Sequence, residues 1–271
     1  MFSKSNNMNN PFYFAFGLTL LAGLCTGVGS ILSLVYKKFN PKFLGGMLGL
    51  SAGVMLYVSF AEIINKAKIS LTEVFGAQMG AIYTVVGFFA GILAIIIIDK
   101  LIPSHDHEDE NESSSIKGNQ NQKLYRLGIF SALALAIHNF PEGLATFMSA
   151  INEPSYGVSI AFAVAVHNIP EGIAVAIPIY YATKSRKKAF WYSFLSGLAE
   201  PVGALIGYFI LKQFFDDSIF GIIFSAVAGI MVYISLNELI PTAREYAGQK
   251  ITMCGILAGM FIMAISLLLF I

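Results

Sequence analysis

The stretch Ala-Gly-Val-Met-Leu-Tyr-Val-Ser-Phe-Ala-Glu-Ile-Ile, residues 52–64, recurs 176 residues later as Ala-Gly-Ile-Met-Val-Tyr-Ile-Ser-Leu-Asn-Glu-Leu-Ile, residues 228–240, without a gap. Two shorter pairs accompany it, residues 23–29 with 197–203 and residues 87–91 with 255–259. Chance similarity between helices of Gly, Ala and Leu is enough to explain the last pair. It is a poor explanation of the long one, in which a glutamate recurs at the same place. The pattern therefore predicts an internal repeat.

Composition places this repeat in a membrane. Of the 271 residues, 56% are hydrophobic and only 12% are charged, about half the charged fraction of a soluble domain. A net charge of +1 lacks the basic excess of a nucleic-acid binder. Cys25 and Cys254 both lie in apolar runs, which excludes a disulfide framework and a cysteine-based zinc module.

The apolar residues form eight stretches that are long enough to cross a bilayer, which takes about 20 residues per helix. They are residues 11–36, 43–64, 77–98, 125–150, 156–181, 189–211, 217–240 and 251–271. Each repeat pair combines an odd-numbered and an even-numbered span, so its two members cross the membrane in opposite directions. Inverted repeats around a midplane site are typical of transporters. We predict an all-α polytopic membrane protein with eight transmembrane helices and one transporter domain over residues 1–271.

The basic residues predict the orientation. If the odd-numbered connections are cytoplasmic, 13 of the 17 Lys and Arg residues lie inside, as the positive-inside rule requires. Residues 1–10 are then an external tail before a retained first span, and both termini face outward. Residues 99–124 form a cytoplasmic loop that contains His105 and His107 among acidic residues. Two interpretations of this loop stay open, a solvated linker and a weak metal-catching segment.

Two copies of a polar motif lie inside apolar spans. Residues 138–143 read His-Asn-Phe-Pro-Glu-Gly in span four, and residues 167–172 read His-Asn-Ile-Pro-Glu-Gly in span five. In each copy His and Glu are four residues apart, on one helical face, and Asn flanks that face. Imidazole, amide oxygen and carboxylate together suit a divalent cation. A neutral hydrogen-bonded cluster is the alternative, and the double occurrence of the motif in antiparallel spans disfavours it.

Helix breakers accompany these ligands. Pro141 and Pro170 cannot donate to the carbonyls four residues earlier. We therefore expect a kink at each, with polar backbone exposed at mid-membrane depth. Glu200 precedes Pro201 in span six and adds a further carboxylate. Ionisable residues cost about 2.5–3.5 kcal/mol or more at the bilayer centre. Without buried Lys or Arg, these carboxylates either stay protonated or hold a metal.

At these motifs the sequence resembles the ZIP family of divalent metal transporters, and the resemblance covers the whole chain. It implies a 3+2+3 arrangement of helices, with spans one, four, five and six moving against the others. It also implies a binuclear metal site in spans four, five and six, made of His138, Asn139, Glu142, His167, Asn168, Glu171 and Glu200. One metal would take the two histidines. The other would take Asn139, Asn168 and Glu200, with Glu142 and Glu171 bridging.

We expect a carrier in the cell inner (plasma) membrane that imports Zn²⁺, and also Fe²⁺ or Mn²⁺, into the cytoplasm. The metal is the transported substrate, so no cofactor and no catalytic residue are expected. The expected partners are divalent ions and the bilayer, with a homodimer as a possible assembly. An intramembrane metallohydrolase and a metal-selective channel are the rival functions. Glu62 and Glu238 are either interfacial charges or acids at the entrance and exit of the metal.

Overall fold

The computed structural model describes residues 10–35, 40–101, 116–211 and 216–269. Within these ranges every regular element is a helix, and no strand occurs among them. The α-helices are α1 Asn10–Val35, α2 Pro41–Val58, α3 Ile64–Leu101, α4 Ile116–Asn152, α5 Pro154–Thr183, α6 Arg186–Gly197, α7 Ala199–Leu211, α8 Asp217–Ile234 and α9 Ile240–Leu269. Two short π-helical segments, Ser59–Ile63 and Ser235–Leu239, join α2 to α3 and α8 to α9.

Five helical stretches are long and apolar enough to cross a membrane within the described ranges. They are Pro11–Val35, Pro41–Ile98, Pro154–Thr183, Arg186–Ile210 and Ser218–Leu268. Large apolar side chains such as Val86, Phe89 and Leu93 are exposed on α3, as expected of a surface that faces lipid. The chain is therefore an α-helical membrane protein, which confirms the predicted class. The count of eight spans and the internal repeat stay predictions.

Glycines with positive φ break the two longest stretches. Gly76 has φ 79° and ψ 165°, and Gly248 has φ 72° and ψ 167°, a conformation that only glycine adopts without strain. The rings of Phe75 and Tyr83 are 4.8 Å apart, whereas eight residues of a straight helix span about 12 Å. The chain therefore reverses direction at Gly76.

The polar residues between the predicted spans 43–64 and 77–98, and those between 217–240 and 251–271, are helical up to or through these glycines. Polar residues end a hydropathic span without ending a helix. The described parts of the predicted 99–124 loop are helical too, since α3 reaches Leu101 and α4 begins at Ile116. His105, His107 and residues 1–9 of the predicted tail lie outside the described residues.

The helices pack in two groups. One group contains α1 and α4 to α7, and the other contains α2, α3, α8 and α9. The groups meet mainly where α2 packs against α5, with smaller contacts of α8 with α4 and of α9 with α5. Both copies of the His-Asn motif belong to the first group, close to this interface.

The two π-helical segments occupy matching places in the two similar stretches of sequence. Each begins with a serine whose hydroxyl donates to the carbonyl four residues earlier. The distances are 2.7 Å from Ser59 Oγ to Met55 O and 2.8 Å from Ser235 Oγ to Met231 O. A π-helical turn accommodates one extra residue and is common at functional positions. Glu62 and Glu238 each lie near the end of their segment.

Candidate metal centre

Three helices supply the predicted ligands. Residues 138–143 lie within α4, residues 167–172 lie in the middle of α5, and Glu200 lies in the first turn of α7. The helical conformation continues through Pro141 and Pro170, and the kink expected at each of these prolines stays a prediction. The break lies between α6 and α7, at Leu198. Pro201 has no N–H for the carbonyl of Gly197, which explains a break at this point.

Glu142 and His167 connect α4 with α5. His167 Nε2 lies 2.8 Å from Glu142 Oε1, and both side chains are buried. Glu171 lies one helical turn after His167 and is also fully buried. Among the described side chains, no lysine or arginine forms an ion pair with Glu142. A buried carboxylate in this position needs a proton or a cation to offset the loss of hydration.

The two asparagines use their amide nitrogens on the backbone. Asn139 Nδ2 donates to Ser196 O at 3.3 Å, and Asn168 Nδ2 donates to Ala22 O at 2.9 Å. Asn168 Nδ2 also donates to Glu200 Oε1. These bonds orient each amide so that its oxygen is left as a free acceptor.

Seven buried side-chain atoms of the predicted ligands have no well-aligned hydrogen bond among the described residues. They are Asn139 Oδ1, Glu142 Oε1 and Oε2, His167 Nδ1 and Nε2, Asn168 Oδ1 and Glu200 Oε2. Glu142 Oε1 and His167 Nε2 are close enough for an ion pair, but their contact lacks the alignment of a hydrogen bond. Leaving one buried polar group unsatisfied costs about 1–3 kcal/mol. These atoms carry lone pairs, so the region has the donor atoms that a metal cation would need.

Ser51 contributes to the site from the other helix group. Its hydroxyl lies 3.4 Å from Glu171 Oε1 and 3.4 Å from His167 O. Sequence reasoning missed Ser51, because a lone serine in an apolar span is ordinary. The available signal was its position directly before the repeated stretch that begins at Ala52.

Some predicted ligands are not brought together. The side chain of His138 lies outside the described residues. Among the side chains that are described, no three His, Cys, Asp or Glu groups stand in a metal-ready cluster. Glu200 contacts Asn168 and lies within electrostatic range of Glu142 and Glu171. Two pairs of predicted ligands are in contact, His167 with Glu142 and Asn168 with Glu200.

Comparison with known proteins decides the family. The sequence model of the family described as "ZIP Zinc transporter" matches residues 103–267. A protein named zinc transporter ZupT from Chlorobium chlorochromatii is 61% identical over 97% of this chain and 100% of its own length. The chain belongs to the ZIP zinc transporter family. Proteins of the same name from Chlorobaculum parvum and Clostridium perfringens are 57% and 54% identical, over 97% and 98% of this chain and 100% and 99% of theirs.

Membership of the ZIP family confirms the resemblance that the two His-Asn motifs carry. ZIP proteins are transporters and not enzymes, so the metallohydrolase alternative is set aside. The family match covers α4 to α8 and most of α9, and therefore includes both polar pairs.

Apolar side chains close one side of the site in this ZIP protein. Glu142 borders a cavity of about 10 Å³ whose other walls include Val58, Ile63, Ile160 and Val227. This volume holds a single water at most. A second cavity, of about 380 Å³, is lined by Glu62 and by Ser159, the neighbour of Ile160 on α5.

Proposed function

We propose that this chain carries Zn²⁺, and also Fe²⁺ or Mn²⁺, across the membrane into the cytoplasm. The observation that supports this most directly is the set of buried polar atoms without well-aligned partners on Asn139, Glu142, His167, Asn168 and Glu200. The relatives named zinc transporter ZupT favour zinc as the substrate. Imidazole nitrogen and carboxylate oxygen also accept Fe²⁺ and Mn²⁺, which prefer harder ligands.

The proposed site holds two ions. The first is bound by His138, Glu142, His167 and Glu171, and the second by Asn139, Asn168 and Glu200, with Glu142 and Glu171 shared. The contact between His167 and Glu142 and the contact between Asn168 and Glu200 support this division. Modest side-chain rotations would have to gather the carboxylates around the ions when they bind.

The proposed topology has eight transmembrane helices in an inverted repeat. Glycine breaks at Gly76 and Gly248 would divide Pro41–Ile98 and Ser218–Leu268 into two spans each, and α4 would supply the remaining span. The paired π-helical segments support the repeat. The bias of Lys and Arg supports outward termini.

Transport would require one helix group to move against the other. The group of α1 and α4 to α7 carries the motif residues, whereas Ser51 approaches them from α2 of the second group. Sliding of one group would expose the ions to the cytoplasm while the apolar walls near Val58 and Ile160 stay closed. A carrier of this kind alternates between two discrete packings.

The test is uptake of radioactive zinc by proteoliposomes that contain the purified protein. We expect saturable, temperature-dependent accumulation above protein-free liposomes, and its loss in Glu142→Gln. Accumulation no greater than in protein-free liposomes would overturn the proposal. Flux that does not saturate would favour a channel, and the carrier mechanism would be wrong.

A further inference from the structure

The larger cavity lies between α5, the end of α9, and the π-helical segment Ser59–Ile63 with the start of α3. All of its lining residues except one leucine are charged or carry a hydroxyl group, and we call it the Glu62 cavity. The lining is Glu62, Lys66, Glu153, Ser155, Tyr156, Ser159 and Leu267. Its volume of about 380 Å³ is large enough for a hydrated ion. In the proposed topology it opens to the outside.

A cation already occupies this cavity in the form of a side chain. Lys66 Nζ lies 3.2 Å from Glu153 Oε2 and 4.4 Å from the centroid of the Tyr156 ring. Both the carboxylate and the aromatic face stabilise positive charge. The ammonium group therefore marks a position at which the protein stabilises a cation.

The hydroxyl of Tyr156 is a second, independent sign of a ligand. Tyr156 is only 8% exposed, and its hydroxyl has no hydrogen-bond partner among the described residues. It lies within electrostatic range of both Glu62 and Glu153. A buried tyrosine hydroxyl usually finds a partner, and an ion with its water shell in the cavity would supply one.

Charge and position favour a divalent metal. When the Lys66 side chain lies in the cavity, its ammonium group offsets one of the two negative charges of Glu62 and Glu153. When Lys66 turns to solvent, the two carboxylates together match the charge of a dication. The side chain of Lys66 is 35% exposed, so such a rotation needs no repacking. Ser159, Ala163 and His167 share one face of α5, and Ser159 is about 12 Å from His167 along the helix.

We propose that the Glu62 cavity is a second binding site for divalent cations, in which the Lys66 ammonium holds the place of the metal until the metal displaces it. The site would concentrate cargo at the outer side of the apolar closure. This inference rests on the proposed function for its role in uptake, but not for the binding itself. A purely structural ion pair between Lys66 and Glu153 is the alternative.

Uptake kinetics distinguish the two explanations. If the Lys66 ammonium competes with Zn²⁺ for the cavity, Lys66→Gln should lower the KM for Zn²⁺. Glu62→Gln and Glu153→Gln should raise this KM, and each change should be about three- to tenfold. A structural ion pair predicts that Lys66→Gln and Glu153→Gln change KM in the same direction, which would overturn the proposal. Lys68→Gln and Glu73→Gln are matched controls, because both residues are exposed on α3 and do not line the cavity.

Equilibrium dialysis with Zn²⁺ tests the site without transport. The full-length Glu62→Gln/Glu153→Gln double variant should bind one equivalent fewer than the wild type and than Glu73→Gln. If the wild type takes up no zinc but this loss persists, the proposed function fails and the site stands. If uptake is normal and all three proteins bind equally, the cavity is not a metal site.

Discussion

Gly143 on α4 lies directly against the backbone of Glu200 on α7. A Cβ at position 143 would overlap the carbonyl oxygen and the Cα of Glu200. The contact holds the carboxylate-bearing turn of α7 next to the motif of α4. The position of Glu200 therefore depends on the absence of a side chain at residue 143.

This contact predicts the effect of Gly143→Ala. The added methyl group must push α7 away, and such overpacking costs about 1–3 kcal/mol. We expect a lower thermal stability in detergent and a large loss of zinc uptake per folded protein. Gly17→Ala is the control, because no atom lies within 4 Å of a Cβ placed there. Equal behaviour of the two variants would show that the close approach has no functional role.

Glu142 and Glu171 are the proposed shared ligands, so their neutral variants should be the most severe. Glu142→Gln and Glu171→Gln keep the shape of the side chain but cannot balance a dication, and we expect uptake to fall to the level of protein-free liposomes. Glu245→Gln changes an exposed carboxylate on α9 and should transport normally. Size-exclusion profiles check folding. Normal uptake by either motif variant would contradict the shared-ligand arrangement.

Metal selectivity should separate the two proposed ions. Glu200 belongs only to the oxygen-rich position, which suits Mn²⁺ and Fe²⁺, whereas His167 belongs to the position that suits Zn²⁺. Glu200→Ala should therefore lose Fe²⁺ and Mn²⁺ uptake more than Zn²⁺ uptake, and His167→Ala should show the opposite bias. Uptake of each metal is normalised to membrane expression. Equal proportional losses would mean that the two positions act as one unit.

The proposed orientation can be tested by thiol labelling. In a background with Cys25 and Cys254 replaced by serine, Lys68→Cys should react with an impermeant thiol reagent in intact cells. Lys187→Cys should react only after the membrane is made permeable. Both lysines are exposed in the fold, so their accessibility differs only in the side of the membrane that they face. The reverse pattern would overturn the proposed orientation, and with it the assignment of the entrance and exit sides.

The sequence alone determined the membrane class and the place of the two polar motifs within helices. Apolar runs of bilayer length can only be helices or barrels in lipid, and strand-type alternation is absent from this sequence. Each His-Asn-x-Pro-Glu-Gly motif lies within one helix, with its His and Glu four residues apart. His167 and Glu171 therefore share a helical face whatever the tertiary packing. These features depend on local periodicity, which the sequence contains in full.

Only the tertiary structure decided which residues meet across helices. The pairing of His167 with Glu142, the approach of Ser51 to Glu171 and the cation contact of Lys66 with Tyr156 all join distant parts of the chain. The exact positions of the helix breaks at Gly76 and Leu198 were likewise read only from the structure. Hydropathy reports transfer into lipid, whereas these contacts depend on the close packing of particular helix faces, which no local pattern encodes.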